Sequence, residues 1–356
     1  MSLFESEPEP TSAIRQALDR AHAESRTIAS GLPPNLYFGT SSWSFPGWAG
    51  IVYGAERTTS QLARDGLREY AQHPLLRTVG IDRSYYAPIP IDDLRAYASQ
   101  LPPDFPCCIK APAGVTAFSL SPRMGGDDVN PDFLSVDRLV DDLLAPLSVA
   151  FRRNTGAIIL EFPPFGRARR LTPNAFHDQL ERFLERLPRE FEYAIELRDR
   201  MLLTPRYRAM LRAHGIAHTY NYWSAMPMLA EQAAVVPPEE PPFSVIRLLL
   251  KPGTWYEDQR EAFRPFNRLV APDQTMRAEV AAIAWRALKR QKRVFILVNN
   301  KAEGSSPLTV AALAKQLTAP TDIATPRPDR LHQPDEPESM PQSAQSPRES
   351  TARRQT

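Results

Sequence analysis

The chain has 356 residues, 42% hydrophobic and 24% charged, with a formal net charge of +2. That is enough apolar material for one large soluble domain or two ordinary ones. The near balance of charge gives no electrostatic case for a nucleic-acid or membrane partner, and no run of 18 apolar residues exists to span a bilayer.

Residues 1–33 read as an N-terminal extension. The start, MSLFESEPEP, is acidic and unlike a signal peptide. Thr11 to Ala29 carries a weak helical stripe of Ile14, Leu18, Ala21 and Ile28 and is helical or partly disordered. Residues 318–356 hold seven prolines and almost no large apolar side chains, so this tail is expected to be disordered.

Between these ends, from 34 to 317, short apolar strands recur at Leu36–Ser41, Thr78–Asp82, Cys107–Lys110, Ala157–Phe162, Tyr193–Leu197, Ile216–Asn221, Ser244–Leu249 and Val294–Asn299. Helical segments lie between most of them. Thr172-Pro173 and Thr204-Pro205 are N-cap and first-turn pairs, Gly215 is a stop, and Asp273 or Pro272 begins a long helix. Ser306-Pro307 starts the last helix. Val136, Leu139, Val140, Leu143 and Leu147 form an apolar face, with Pro146 expected to kink its end. Eight strands alternating with helices predict a single (β/α)8 TIM-like barrel, with a doubly wound open sheet as the other solution. Connections from strand to helix are long (111–134, 222–243, 250–272), and those from helix to strand are short. That asymmetry predicts a site at the C-terminal face of the strands.

Polar groups gather at the strand ends. The first gives Ser41, Ser42 and Trp43, inside GTSSWSFPGWAG. The second gives Asp82, Arg83, Tyr85 and Tyr86; the third Lys110; the fourth Glu161; the fifth Glu196 and Arg198. The sixth gives Tyr220, Asn221, Tyr222 and Trp223, the seventh Arg247 and then Lys251, and the eighth Asn299 and Asn300. A charge at the end of an apolar strand must meet water, a partner or a ligand. Lys110, one of six lysines, is expected to face a ligand, or else to pair with Glu196 or Asp82 inside the barrel. Glu196 and Arg198 share strand parity, as do Gly80 and Asp82, and the glycine leaves room for a ligand or a neighbour. Glu161 and Glu196, on adjacent strands, suit acid–base work of the glycosidase kind if their spacing allows.

No HxH, HExxH, GxSxG or P-loop pattern is present, so no metal or cofactor is indicated. His218 is expected to be a satisfied core residue. Gly125-Gly126 reads as a flexible tip, and Arg167, Arg169 and Arg170 as a solvated run or as one that attracts phosphate near the mouth. Cys107 and Cys108 are neighbours on a strand, point to opposite faces and are not expected to pair; free thiols suggest the cytoplasm.

Six segments in order then resemble the DUF72 (YecE-like) family: GTSSWSFPGWAGIVY at 39–53, LREYAQHPLLRTVGIDRSYYAPIP at 67–90, DFPCCIKAP at 104–112, GAIILEFPP at 156–164, FEYAIELRDR at 191–200 and VFILVNNKAEG at 294–304. The resemblance implies a TIM-barrel-like fold and supplies no reaction, because the family is one of unknown function. Its motif positions fall on Ser41, Trp43, Trp48, Asp82, Tyr86, Lys110, Glu196, Arg198, Asn299 and Asn300. The chain departs from the family pattern at Gly80 (Glu expected), Asp82 (Asn), Glu161 (Gln), Lys251 (His-Gly region) and Lys301 (Asp). The two lysines suggest a more anionic ligand or lost activity.

The expectation is therefore a cytoplasmic barrel enzyme acting on a small polar or anionic metabolite, a sugar derivative or nucleotide. Lys110 and Glu196 form the acid–base or anchoring pair and Asp82 assists. Ser41, Trp43, Trp48, Tyr86, Arg198, Asn299 and Asn300 bind the ligand. A non-catalytic binding or scaffold protein is the alternative.

Overall fold

The computed structural model describes residues 10–119, 129–165, 171–254 and 256–318. Gly125-Gly126, the run Arg167 to Arg170 and the tail beyond 318 lie outside them.

Eight parallel strands close on themselves in sequence order: β1 (Leu36–Thr40), β2 (Leu76–Ile81), β3 (Cys107–Lys110), β4 (Thr155–Phe162), β5 (Glu192–Leu197), β6 (Ala217–Tyr222), β7 (Phe243–Leu248) and β8 (Arg293–Val298). β8 returns to pair with β1 through Leu36↔Val294 to Thr40↔Val298. All eight strands fall within two residues of the positions marked in the sequence. The open-sheet alternative is excluded by that closure.

Two cores follow from strand alternation. A large cluster lies between strands and helices, and includes Phe38, Val79, Ile109, Ile158, Leu160 and Ile195. A small second cluster fills the barrel axis: Cys108, Ala157, Ile159, Ala194, Ala217, Phe243, Val245, Phe295 and Leu297. The two cysteines divide between these cores and are free thiols. The same inward parity, carried one step further toward the C-terminal ends, reaches Asp82, Lys110, Glu161, Glu196 and Arg247.

The cap signals act as expected. Thr172, Thr204 and Asp273 each accept a hydrogen bond from the third residue of the helix that follows. Gly215 ends the Pro205–His214 helix at φ +67°, with open space where a Cβ would stand. Gly215→Ala is therefore expected to lose roughly 1 kcal/mol through backbone strain alone; urea unfolding measures it, and an unchanged midpoint would contradict the strain account.

Three details differ from the sequence reading. The 222–243 and 250–272 connections contain helices, Leu229–Val235 and Tyr256–Phe263. The first is seven residues long and lacks a Ser, Thr, Asp or Asn cap; the Glu231 carboxylate accepts from the Met228 N–H instead (3.2 Å). Before Pro146 the helix widens to a π-turn over Val140–Leu144, which absorbs the proline inside a continuing helical run. In the extension, Pro10–Ala29 is one helix that lies against the last helix, Ser306–Thr318. Its half-buried positions include the Ile14, Leu18, Ala21 and Ile28 stripe. No helix among the described residues is long and apolar enough to cross a membrane.

Candidate functional site

The C-terminal ends of five strands deliver six charged side chains to one place. Arg247, inward on β7, is fully buried and is the hub. Its Nη1 donates to Glu196 Oε2 (2.6 Å) and its Nη2 to both oxygens of Asp82 (3.1 and 2.9 Å). Glu161 Oε2 takes three cations: Lys110 Nζ at 2.8 Å, Arg198 Nη2 at 2.7 Å and Arg247 Nη1 at 3.4 Å. Arg198 Nη2 also stands 2.5 Å from Glu196 Oε1, at an angle too poor for a hydrogen bond, so charge alone holds that oxygen. Three carboxylates thus face three cations.

Burial alone would push the Glu161 carboxyl upward, but the charges of Arg198, Lys110 and Arg247 overcome it and hold the group at about 2. Burial also works against the Arg247 charge, and Asp82, Glu196 and Glu161 outweigh it, raising the guanidinium above its ordinary value. Glu161 is accordingly a carboxylate at neutral pH. Because Glu161 Oε2 and Glu196 Oε1 share one Arg198 nitrogen, they stand no more than about 5 Å apart, the spacing of a retaining glycosidase pair. Access and protonation do not fit that chemistry: Glu161 is ionised, and Glu196 is wholly sealed beneath the two arginines.

Aromatic faces cover the cations. Lys110 Nζ lies 3.5 Å from the centroid of Tyr85, and the Arg198 guanidinium 4.2 Å from that of Trp223. Burial, with the Glu161 charge next, raises the Tyr85 hydroxyl above its ordinary value, so it stays a neutral phenol. Ser84 Oγ donates to the Lys110 carbonyl (2.6 Å), fixing the turn after β2 against β3. The exposed parts of the site are uneven. Asp82 has 34% of its side chain exposed, whereas Lys110, Glu161 and Arg198 show under a tenth.

Of the residues expected at the site, Lys110, Glu196, Asp82 and Arg198 come together. Lys110 pairs with Glu161 rather than with Glu196 or Asp82. Tyr86 stands at the rim, 72% exposed and edge-on to Tyr85. Ser41 is buried with its Oγ unpartnered, and its main chain fills the room beside Gly80, where a Cβ would stand 3.1 Å from Ser41 Cα. That space therefore serves a neighbouring strand, not a ligand.

The tryptophans go elsewhere: Trp43 precedes, and Trp48 ends, the short Pro46–Trp48 turn that follows β1. Trp43 Nε1 donates to the Leu62 carbonyl (2.9 Å), and Trp48 Nε1 to Asn300 Oδ1 (3.3 Å); both rings belong to the outer core. Asn300 Oδ1 also accepts from the Ser306 N–H (2.7 Å), and Asn299 Oδ1 from the Lys301 N–H (3.1 Å), so both asparagines shape the turn after β8. Lys251 makes an ion pair with Asp273 (3.2 Å), which also accepts from the Tyr222 hydroxyl (2.7 Å). His218 is a core residue whose Nδ1 meets the Tyr207 hydroxyl at 3.0 Å, and burial lowers its pKa to about 3.

Arg247 and Glu161 join the cluster in addition to the residues expected to catalyse or to bind. The signal for Arg247 was present: an arginine at an inward position of an otherwise apolar strand must be paired. Among the described residues no three His, Cys, Asp or Glu side chains are placed to hold a metal ion.

The profile of the family described as "Protein of unknown function DUF72" matches residues 37–333. A DUF72 family protein from Thermotoga maritima is 21% identical, with 79% of this chain and 97% of that one covered and a TM-score of 0.51. A DUF72 family protein from Enterococcus faecalis is 16% identical, with 80% and 95% covered and a TM-score of 0.54. At these identities the likeness establishes the fold. No curated protein matches the chain.

Proposed function

The chain belongs to the DUF72 family, and from that premise we propose that it is an enzyme acting on a small polar molecule at the C-terminal mouth of its barrel. The observation that carries this reading is the charged cluster itself. Five of the six charged side chains are buried, and what their pairing returns is largely spent on desolvation, so such a cluster is weak as a stabilising device. Held rigid in a barrel mouth, it is a preorganised electrostatic surface of the kind that chemistry uses. Asp82, the most exposed carboxylate, meets the ligand. Lys110 and Arg198 contact it from the buried wall, and Glu196 acts from below as a positioning residue.

The rival reading is a binding protein without chemistry. It is favoured by the completeness of the pairing, which leaves Glu161 ionised and no acid obvious. A metabolite panel separates the two. For the enzyme, Asp82→Asn lowers kcat/KM by about 10²-fold or more, and Lys110→Met raises KM. Turnover indifferent to both substitutions removes the roles given to Asp82 and Lys110, and a stabilising metabolite that is never consumed favours the binding protein. We place the protein in the cytoplasm, supported by its two buried free thiols. Its partner is a small molecule, and the net charge of +2 supports no nucleic-acid role.

A further inference from the structure

The ligand's own charge is legible in the cluster. Resting on the mouth as the binding site, we infer that the ligand is uncharged and hydroxyl-bearing, a sugar or polyol rather than a phosphate ester. Three carboxylates and three cations cancel, and each is already paired. A phosphate entering that mouth would bury its charge without a surplus cation to receive it among the described residues of that cluster. Lys251, placed by its sequence position to supply one, is held by Asp273.

The hydrogen-bonding groups left over point the same way. Asp82 accepts from Arg247 on its inner side and keeps a third of its surface exposed, so its remaining lone pairs ask for a donor. Arg198 is more than nine-tenths buried, and its Nε has no partner, which leaves a donor that asks for an acceptor. A hydroxyl group answers both demands, since it donates and accepts. Tyr85 and Trp223, half-buried with one face on each cation, stand beside these groups, and a half-exposed ring suits the C–H surface of a sugar.

Thermal-shift titration of the full chain tests this with two arms. The neutral arm is ribose, glucose and myo-inositol; the anionic arm is ribose 5-phosphate, glucose 6-phosphate and inorganic phosphate. A neutral compound should raise Tm saturably, while its phosphate ester does so at least tenfold more weakly. Its affinity should change less than about twofold between 50 and 500 mM NaCl, since no ligand charge is there to screen. Asp82→Asn should weaken the neutral compound about tenfold or more and, by leaving one surplus positive charge, admit phosphate esters. A wild-type preference for the anionic arm, or a steep salt dependence, overturns the inference and leaves the mouth intact as the site. Silence in both arms overturns it too, and if a wider metabolite panel is equally silent the mouth reading falls with it. The salt series on the wild-type chain decides the matter even where the Asp82 variant fails to fold.

Discussion

Arg247→Met is expected to lower the free energy of unfolding by about 3–5 kcal/mol, the range seen when one member of a buried ion pair is removed. The reason is not the worth of one bond. The Arg247 guanidinium reaches Glu196 with one nitrogen and Asp82 with the other, and approaches Glu161 as well. Without it, Glu196 keeps only Arg198, and it has no exposure through which water could compensate. Against a total stability of about 5–15 kcal/mol, this loss decides whether the chain folds at 37 °C. Arg247→Lys should fall between the two, because a single ammonium cannot span the two carboxylates that a planar fork bridges. Adding Glu196→Gln to Arg247→Met should recover part of the loss by removing the stranded charge. Denaturant midpoints measure all three. An Arg247→Met chain as stable as the wild type would mean that the cluster is open to water and that Glu196 is not sealed beneath the arginines.

The barrel was legible in the sequence, and the composition of its mouth largely so, because alternation is a local rule. Parity alone placed Glu196 with Arg198 and Asp82 with Gly80, and the caps at Thr172, Thr204, Asp273 and Gly215 fixed helix ends through neighbours three or four residues away. What parity cannot give is distance across the barrel. Lys110 meets Glu161 on the adjacent strand, two residues on from the Lys110↔Ile159 pairing, and no sequence pattern chooses that carboxylate over Glu196. Arg247 sits on a strand whose six residues are all buried, and its three partners are brought by chain segments 51 to 165 residues away. The aromatics failed for another reason. A tryptophan after a strand suits a pocket wall and an outer core equally, and only the path of the chain after the strand places Trp43 and Trp48 in the outer core. Tyr85 and Tyr86 differ in the same way: one covers Lys110 and its neighbour faces solvent.

Acid should dismantle this mouth through Glu161, and the direction follows from its partners. The folded chain holds that carboxyl at about 2, against an ordinary value of 4.5. A carboxyl depressed by folding contributes stability that is complete above its unfolded pKa and is lost as pH falls through its folded one. The window is therefore from about pH 5 down to about pH 2, and the contribution is on the order of 3 kcal/mol. The chain has 41 acidic residues, so the wild-type acid limb reports more than one group. A difference measurement isolates Glu161. Glu161→Gln leaves Lys110, Arg198 and Arg247 facing one carboxylate fewer, and should be destabilised by about 3 kcal/mol at pH 6. As pH falls the wild-type carboxyl takes up the proton that the amide never needed, so the two stability curves should approach each other and nearly meet by pH 2. Urea midpoints taken at half-unit steps would show this. Curves that stay parallel across the window would mean that Glu161 is not the carboxylate on which the three cations converge in solution.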